Sequence, residues 1–321
     1  MPPEPAGRMP ALRPWRALPA CGFAKLPSFV FKNADFSVRL LSRAALAHPA
    51  NFKFPIAPAR ATLIAVHPIV VKFGSFALHW YGVMLALAFL VGLWTAMRRA
   101  PRTGIPAEKI SDVILWLLIG TILGARTLYV VSYWREDFAG QPLWEIFMIQ
   151  RGGLVYYGGL VGASLACILF CWRRQLPLWK VADILAPSVA LGYAVGRIGC
   201  LLNGCCFGRA CELPWAIRFP DIHATGGAPV HPTQIYDLLL NLGFYFALDW
   251  LYRRKKFDGQ VFATYLLGYA VLRSFVELFR GDYSSAHRYS GLTPGQVVSI
   301  GILLAGVLLF AVLRRASLKR G

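Results

Sequence analysis

Long apolar segments dominate the chain from residue 77 onward, and short charged stretches separate them. A helix needs about 20 mostly apolar residues to cross a hydrocarbon core of about 30 Å. Windows of that length lie at residues 77–97, 111–133, 153–172, 181–200, 234–252, 260–279 and 292–313. The pattern predicts an all-α polytopic membrane protein with about seven transmembrane helices and a larger extracytoplasmic loop region between helices 4 and 5.

Basic residues are distributed unequally between the connections that separate these windows. Every second connection and the C-terminal end together carry fifteen lysines and arginines, whereas the remaining connections carry six. Because cytoplasmic loops are enriched in basic residues, we expect the first set to face the cytoplasm. With seven helices, helix 1 then starts outside and the C-terminus is cytoplasmic.

The overall composition supports a membrane protein and argues against nucleic-acid binding. Hydrophobic residues make up 57% of the 321 residues and charged residues 15%, which lies outside the range of soluble globular chains. The formal net charge is +19. Topology and attraction to anionic lipid explain that charge better than nucleic acid, for which no motif is present. We therefore expect a lipid bilayer, and no nucleic acid, as partner.

Residues 1–65 differ from the rest of the chain. They are rich in Pro, Ala, Arg and Phe, carry only two acidic residues and contain no sustained spanning window. They also lack a clear apolar core followed by a cleavage site. We expect a disordered or spurious extension over 1–65 and a seven-helix domain over 66–321. Because a valine codon can serve as a start codon and the seven-helix domain begins at Val66, we expect translation to start there, and a tryptic peptide from residues 26–60 would contradict this.

The segment GRIGCLLNGCCFG, residues 196–208, places polar groups at the end of an apolar window. An arginine at the centre of a spanning helix costs about 2.5–3.5 kcal/mol, and such a cost indicates a function for Arg197. The alternative is an interfacial arginine that reaches water. Arg126 and Arg273 also lie within or at the edge of apolar windows. These three arginines are the first candidates for functional charges.

Glycines mark the predicted contact between helices 2 and 3. Gly120 and Gly124 lie near Arg126 in helix 2, and Gly158 and Gly162 form a small-xxx-small pair in helix 3. Small residues allow close approach of helix backbones. The pattern predicts a packing site, with a buried partner for the arginine.

Other apolar segments contain further polar positions. Tyr269, Arg273 and Glu277 follow one another at i, i+4 steps in helix 6 and share one face, which predicts an Arg273–Glu277 pair. An ion pair in hydrocarbon is expensive even when satisfied, which favours a function.

His231, in HPTQIYD before helix 5, is a possible base, although a lone histidine is more often structural. Tyr81, in HWYGVM, suits an interfacial aromatic anchor.

Taken together, these blocks resemble the bacterial prolipoprotein diacylglyceryl transferases. The signature of that family is Gly-Arg-x-Gly-Asn-Phe-x-Asn-x-Glu-x-x-Gly, and the chain matches it at Gly196, Arg197, Gly199, Asn203 and Gly208. Further blocks occur in the order of the family: HWYGVM, GARTLYV, GGLVYYGGLVG, DILAP, HPTQIYD, YAVLRSFVELFR and LTPGQVVSI. The resemblance covers residues 66 to about 315.

The resemblance implies an enzyme of the bacterial cytoplasmic (inner) membrane. Such an enzyme transfers the diacylglyceryl group of phosphatidylglycerol to the lipobox cysteine thiol of a preprolipoprotein, the first step of lipoprotein maturation. A thiol with a pKa near 8.5 must first be deprotonated, and fixed cations stabilise the departing phosphate. No cofactor and no metal are expected.

The resemblance also assigns residues to the site. The expected catalytic residues are Arg197, Arg273, Glu277, Tyr157 and His231. The expected substrate-binding residues are Arg197, Tyr81, Arg126, Asn203, Gly208, Tyr269 and Arg280. Tyr157 stands where many members have a histidine proposed as the general base, and a tyrosine with a pKa near 10 is a weaker base. Glu277, His231 and the positive field of the arginines therefore remain open as the source of thiol deprotonation.

Four cysteines, Cys200, Cys205, Cys206 and Cys211, lie within twelve residues. Two of them, Cys200 and Cys205, replace the asparagine and glutamate of the signature. The spacing lacks a CxxC pair, so it gives a metal site little support. A disulfide and simple packing both remain open as the role of these cysteines. The alternative function is a transferase-derived membrane redox or lipid-binding protein that uses this cluster. A transporter is disfavoured because no inverted repeat is apparent.

Overall fold

The computed structural model describes residues 62–63, 69–73, 76–149, 152–282 and 292–319. Seven long α-helices occur in this part of the chain: α1 (Trp80–Arg99), α2 (Ala107–Ser132), α3 (Tyr156–Arg173), α4 (Leu178–Leu202), α5 (Thr233–Arg254), α6 (Gln260–Glu277) and α7 (Pro294–Leu318). Each coincides with one predicted apolar window to within a few residues. By length and composition, α1 with the turn after it, α2, α4 and α7 are able to cross a membrane.

Short strands accompany the helices at two places. The strands are β1 (Thr62–Leu63), β2 (Ile69–Phe73), β3 (Phe76–His79), β4 (Ile217–Arg218) and β5 (Pro229–Val230). β2 and β3 form an antiparallel pair before α1, while β4 pairs in parallel with β1 and antiparallel with β5. β1 belongs to the predicted N-terminal extension and is ordered against β4. Residues 1–61 and Val66 lie outside the described residues, so the nature of the extension and the start site stay predictions.

Helix α4 is the central element of the bundle. It packs against α1, α5 and α6, and 44% of its apolar window is buried, compared with 11% for α7. A helix that is enclosed on several sides can carry polar side chains only where neighbouring helices supply partners. Arg197 lies near the C-terminal end of this helix.

Glycines bring α2 and α3 into backbone contact, as the sequence predicts. A Cβ on Gly120 would lie 2.6 Å from the carbonyl oxygen of Gly162, and a Cβ on Gly124 would lie 2.8 Å from the Gly162 Cα. Gly158 faces the Gly124 backbone in the same way. A larger side chain at these positions would separate the two helices, so the packing prediction is confirmed.

A polar network joins α1, α4 and α5 at the end of the bundle opposite to Arg197. The Arg99 guanidinium donates to Asp249 Oδ1 at 2.7 Å and to the Ser188 hydroxyl at 2.8 Å. The hydroxyls of Ser188 and Thr95 lie 2.9 Å apart, and Arg253 donates to the second Asp249 oxygen at 2.6 Å. We call Arg99, Asp249, Ser188 and Thr95 the Arg99 network. It stabilises the contact between three helices.

Asp183, in the DILAP block, caps a neighbouring helix. Its carboxylate accepts the backbone N–H groups of Gly259 at 2.8 Å and Phe262 at 3.0 Å. It also pairs with Lys255 at 2.8 Å. The first N–H groups of a helix have no partner within the helix, and a carboxylate there is favoured by the helix dipole. Asp183 therefore fixes the start of α6 against α4.

Candidate active site

The C-terminal end of α4 turns sharply at the Asn203–Gly204 step. Gly204 has φ +71°, Cys205 N–H donates to the Cys200 carbonyl at 3.0 Å, and Gly204 N–H donates to the Leu201 carbonyl at 3.1 Å. These are the two hydrogen bonds of a Schellman motif, in which a left-handed glycine ends the helix. The motif ends α4 a few residues after Arg197 and directs the chain toward α5.

The start of α5 holds this turn in place. The Thr233 hydroxyl donates to the Cys206 carbonyl at 2.6 Å, and the Gln234 amide donates to the Cys205 carbonyl at 2.7 Å. Both donors belong to the HPTQIYD block and are buried. Two sequence blocks that lie about 30 residues apart therefore form one unit, and Asp237 follows one turn further along α5.

Arg197 is paired across the α4–α5 contact. Its Nη2 lies 3.0 Å from Asp237 Oδ2, and the side chains are 11% and 3% exposed. The same nitrogen contacts the Tyr193 hydroxyl, which lies 3.4 Å from Asp237 Oδ2. A guanidinium carries five N–H donors, and these contacts use one nitrogen. Within the described residues, Asp237 Oδ1 is buried and accepts no hydrogen bond.

A second group of charges lies at the end of α6. Arg273 pairs with Glu277 at 2.8 Å, one turn along the same face, which confirms the predicted pair. Arg280 Nη1 lies 3.9 Å from the same Glu277 oxygen, and Arg280 forms two hydrogen bonds with Asp282, at 2.9 and 2.5 Å. Glu277 Oε1 is buried and accepts no hydrogen bond from the described residues.

Helix α7 closes this side of the site through a glycine. A Cβ on Gly295 would lie 2.9 Å from both the carboxyl carbon and Oε1 of Glu277. Gly295 belongs to the LTPGQ block, in which Thr293 and Gln296 form a capping box at the start of α7. The glycine therefore makes room for the Glu277 carboxylate.

The two charged groups belong to one cluster. The charges of Arg197, Arg273 and Arg280 all act on Asp237, and Arg273 lies within electrostatic range of both other arginines. The rings of Tyr193 and Tyr269 connect α4 and α6 edge to face, with centroids 5.9 Å apart. We call Arg197, Asp237, Arg273, Glu277 and Arg280 the arginine–carboxylate cluster. It brings three guanidinium groups and their carboxylate partners together between α4, α5 and α6.

Gly208 connects the segment after α4 to the end of α6. It forms an antiparallel bridge with Arg280, and its N–H donates to the His231 carbonyl at 3.1 Å. A Cβ on Gly208 would lie 2.6 Å from that carbonyl oxygen and 2.9 Å from the Phe279 carbonyl. This close approach of three backbone segments requires glycine, and it brings Arg280 and His231 to the same region.

His231 lies outside the helices, against aromatic rings. Its Nδ1 is 3.2 Å from the Tyr236 hydroxyl, which accepts from the Trp215 indole N–H at 2.8 Å. Burial and the nearby charge of Arg209 both lower the pKa of His231 below its usual value. The imidazole is therefore neutral at neutral pH, with Nδ1 directed at a hydroxyl.

Three further residues that the sequence assigns to the site lie near the cluster. Tyr157, at the start of α3, is within electrostatic range of Arg273 and Glu277. Tyr81, at the start of α1, is 36% exposed and packs on α4, because a Cβ on Gly199 would lie 3.4 Å from its ring. Asn203 is the C-cap of α4. The fold thus brings α1, α3 and α4 to one end of the bundle.

The arrangement agrees with comparisons to known proteins. A sequence model of the family described as prolipoprotein diacylglyceryl transferase matches residues 68–312. The chain belongs to this family. It is 36% identical over 257 residues to the phosphatidylglycerol–prolipoprotein diacylglyceryl transferase of Shewanella oneidensis, covering 76% of this chain and 94% of that protein. It is 37% identical over 261 residues to the protein of that name from Rhodospirillum rubrum, covering 78% and 94%.

A third relative gives the same result. The phosphatidylglycerol–prolipoprotein diacylglyceryl transferase of Bordetella bronchiseptica is 36% identical over 250 residues, which cover 76% of this chain and 94% of that protein. Membership in the prolipoprotein diacylglyceryl transferase family confirms the resemblance inferred from the motifs. The alternative of a membrane redox or lipid-binding protein has no support in these comparisons.

Arg126, also assigned to substrate binding by the resemblance, is hydrogen-bonded to protein backbone. Its guanidinium donates to the carbonyls of Glu145, Ile146 and Gly152 at 2.7–2.8 Å and to that of Gly153 at 3.1 Å. These carbonyls belong to the connection between α2 and α3. In this arrangement Arg126 fixes that connection, and its buried partners are carbonyl oxygens.

Two residues beyond those expected from the motifs, Asp237 and Tyr193, contact Arg197. Asp237 lies in the HPTQIYD block at the start of α5, and Tyr193 lies within α4. Tyr193 lies one helical turn before Arg197, and an i, i+4 search around the arginine would have found it. Asp237 could have been found because it is an acidic residue at the start of an apolar window. An acid in that position needs a cation as its partner.

Proposed function

We propose that this protein transfers the diacylglyceryl group of phosphatidylglycerol to the lipobox cysteine thiol of preprolipoproteins. The observation that carries this proposal is the buried arginine–carboxylate cluster, in a chain that belongs to the prolipoprotein diacylglyceryl transferase family. The names of the relatives state the lipid and the acceptor. Two substrates that reside in or at a bilayer suit a site between membrane helices.

Arg197 and Arg273 bind the phosphate of the lipid in this proposal. The thiolate forms a bond to the terminal glyceryl carbon, the C–O bond to phosphate breaks, and glycerol phosphate leaves with the bonding electron pair. Negative charge grows on the departing phosphate, and guanidinium groups stabilise it through charge-assisted hydrogen bonds. Asp237 and Glu277 hold the two guanidinium groups in fixed orientations through their ion pairs.

Glu277 is the better placed acceptor for the thiol proton. Its Oε1 accepts no hydrogen bond from the described residues and lies within the arginine–carboxylate cluster, whereas His231 lies outside the helices against aromatic rings. The proton leaves the thiol as the S–C bond forms, and the positive field of the arginines favours the thiolate. Tyr157 acts here through shape and hydrogen bonding, because a phenol with a pKa near 10 is a weak base at neutral pH.

The remaining assigned residues shape the site in this proposal. Tyr81 and Tyr269 line it with aromatic surface, while Asn203 and Gly208 set the course of the chain after α4. Arg280 adds a third cation at the end of α6. Arg126 acts on substrate indirectly, by fixing the connection between α2 and α3 through four carbonyl contacts.

We infer that all seven helices cross the bacterial inner membrane, with the start of α1 outside and the C-terminus in the cytoplasm. Helices α3, α5 and α6 contain 18, 22 and 18 residues, which is close to the span of a bilayer. The unequal distribution of basic residues supports the orientation. The cluster and the larger loop region, residues 203–232, then lie on the extracytoplasmic side.

Complementation tests the proposed function directly. The full-length chain is expressed in a bacterial strain whose own transferase is under conditional control, and lipoproteins are examined by mass spectrometry. We expect growth without the host enzyme and a diacylglyceryl thioether on the lipobox cysteine. Arg197→Ala, expressed to the same level, is the matched control. Unmodified lipoprotein in cells that hold the unchanged chain in the membrane would contradict the proposal.

A further inference from the structure

Three cysteine side chains meet where α4 ends. The Sγ atoms of Cys200, Cys205 and Cys206 all lie within 4.8 Å of one another, and the three residues are 7–8% exposed. The spacing C-x4-C-C does not match a common metal motif, so the sequence alone supports a site here only weakly. Tertiary structure creates the cluster.

Local backbone geometry explains how the three sulfurs converge. Cys200 and Cys205 occupy the two positions that a Schellman motif brings into side-chain contact. Cys206 follows with φ +62°, a left-handed conformation that is uncommon for a residue other than glycine. The Thr233 and Gln234 side chains hold the carbonyls of Cys206 and Cys205. The sulfurs are therefore pre-arranged by hydrogen bonds to α5.

Three thiolate donors are suited to soft metal ions. A metal–thiolate bond is about 2.3 Å long, so three sulfurs around one ion in a plane lie roughly 4 Å apart. The sulfur–sulfur distances would need to shorten by less than about 1 Å to reach that geometry. Thiolates select soft ions such as Cu(I) and Zn(II), but structural zinc sites are almost always four-coordinate. No fourth His, Cys, Asp or Glu belongs to the group among the described residues.

The nearby charges act on a thiolate site at this position in two directions. Binding of one monovalent ion by three thiols releases three protons and leaves a net charge of −2. Such a charge needs cations nearby when it is buried. Arg197 lies within electrostatic range of Cys200 and Cys206, and Asp237, which pairs with it, lies in range of Cys206. Arg197 therefore supplies a positive charge on the same helix, and the carboxylate of Asp237 offsets part of it.

We propose that Cys200, Cys205 and Cys206 form a three-coordinate thiolate site for Cu(I). Two of the three ligands are the residues that replace the asparagine and glutamate of the family signature. The site is therefore a property of this chain and lies one helical turn from Arg197.

The test uses the full-length protein, purified in detergent and reduced without oxygen. Cu(I) is supplied from a coloured competing chelator, and X-ray absorption at the copper edge reports the ligands of the unmodified chain. We expect one Cu(I) per chain with three sulfur neighbours at about 2.3 Å. Two sulfur neighbours, a nitrogen or oxygen ligand, or displacement of Cu(I) by Zn(II) would overturn the proposal.

Serine variants assign the ligands. Cys200→Ser, Cys205→Ser and Cys206→Ser should each weaken Cu(I) binding by at least about 100-fold, more than loss of an outer-shell partner costs. Cys211→Ser is the matched control, because Cys211 lies in the same loop, is partly buried and is outside the three-sulfur group. Unchanged binding in any of the first three variants, or equal loss in the control, would overturn the assignment. The measurement does not use the transfer reaction, so it is independent of the proposed function.

Discussion

Arg99 is buried and Arg197 is 11% exposed. Both pair with an aspartate of α5, yet their surroundings differ. Arg99 donates to Asp249 and Ser188, and both oxygens of Asp249 accept hydrogen bonds from arginines. Arg197 meets Asp237, whose Oδ1 accepts no hydrogen bond within the described residues. In the first case the protein satisfies the polar atoms itself. In the second it leaves a buried acceptor unsatisfied.

The difference separates a structural network from a candidate active site. A fully satisfied buried network fixes the packing of helices, whereas a buried acceptor without a partner costs free energy. The cost is concentrated in the arginine–carboxylate cluster, where Glu277 Oε1 is also without a hydrogen bond from the described residues. Changes in the Arg99 network should therefore affect stability, and changes in the cluster should affect transfer.

The largest effect is expected from the two arginines of the cluster. Arg197→Ala and Arg273→Ala should each lower the rate of transfer by at least about 10²–10³-fold, because each removes a charge that stabilises the departing phosphate. Arg273→Lys should restore little, since lysine lacks the planar fork. The measurement is diacylglyceryl transfer in membranes with equal amounts of each variant. Near-normal turnover in either alanine variant would refute the site assignment.

The Arg99 network should show the opposite response. Asp249→Asn removes the negative charge that faces Arg99 and Arg253 but keeps an acceptor, and hydrogen bonds to charged groups contribute about 1.5–3 kcal/mol of stability, part of which should be lost. We expect a lower unfolding temperature in detergent and less protein in the membrane, with a normal transfer rate per folded molecule. A rate per molecule reduced as strongly as in Arg197→Ala would remove the distinction between the two regions.

A smaller effect is expected at Gly295, where α7 contacts the cluster. The Cβ of Gly295→Ala would meet the Glu277 carboxylate at 2.9 Å and displace it, which should slow transfer about tenfold through loss of orientation. Gly301→Ala is the control, because it lies on the same helix and no neighbouring atom of the described residues comes within 4 Å of the added Cβ. Equal transfer rates for the two variants would show that the position of Glu277 is unimportant.

Tyr157 should contribute less than the arginines. Tyr157→Phe keeps the ring and removes the hydroxyl, so we expect a loss of at most about tenfold in transfer rate, the size of one hydrogen bond. Tyr157→His places the residue of many family members at this position. A loss in Tyr157→Phe as deep as in Arg197→Ala, with partial recovery in Tyr157→His, would show that this position supplies the base.

The smallest effect is expected at His231. Burial and Arg209 lower its pKa, so the neutral form persists to lower pH than for an ordinary histidine near 6.5. Neutral His231 therefore contributes fully to the stability of the fold above pH 6.5. That contribution decreases as the pH falls through the lowered pKa of the folded state. His231→Gln should change the transfer rate less than about twofold between pH 7 and 8, where the imidazole is neutral in either state. If the transfer rate of the unchanged protein falls at low pH and that of His231→Gln does not, His231 would be identified as the base.

Prediction from the sequence was most successful where the signal is local. The Arg273–Glu277 pair follows from i, i+4 spacing, and the contact of α2 and α3 follows from glycines four residues apart. Arg126 shows the limit of this reasoning. Its position in an apolar window indicated a buried partner. The partners are backbone carbonyls of the connection between α2 and α3, about 20 residues further along the chain. Backbone acceptors carry no side-chain signature, so the sequence could not identify them.

The sequence by itself determined the seven apolar helices, the family and most members of the arginine–carboxylate cluster. These depend on hydrophobic periodicity, motif spacing and the cost of charge in an apolar segment, all of which are local properties. Tertiary structure alone decided that Arg197 pairs with Asp237 and that Cys200, Cys205 and Cys206 converge. Those contacts depend on a helix end, a left-handed turn and hydrogen bonds from α5. Their geometry exists only once α4 and α5 have packed together.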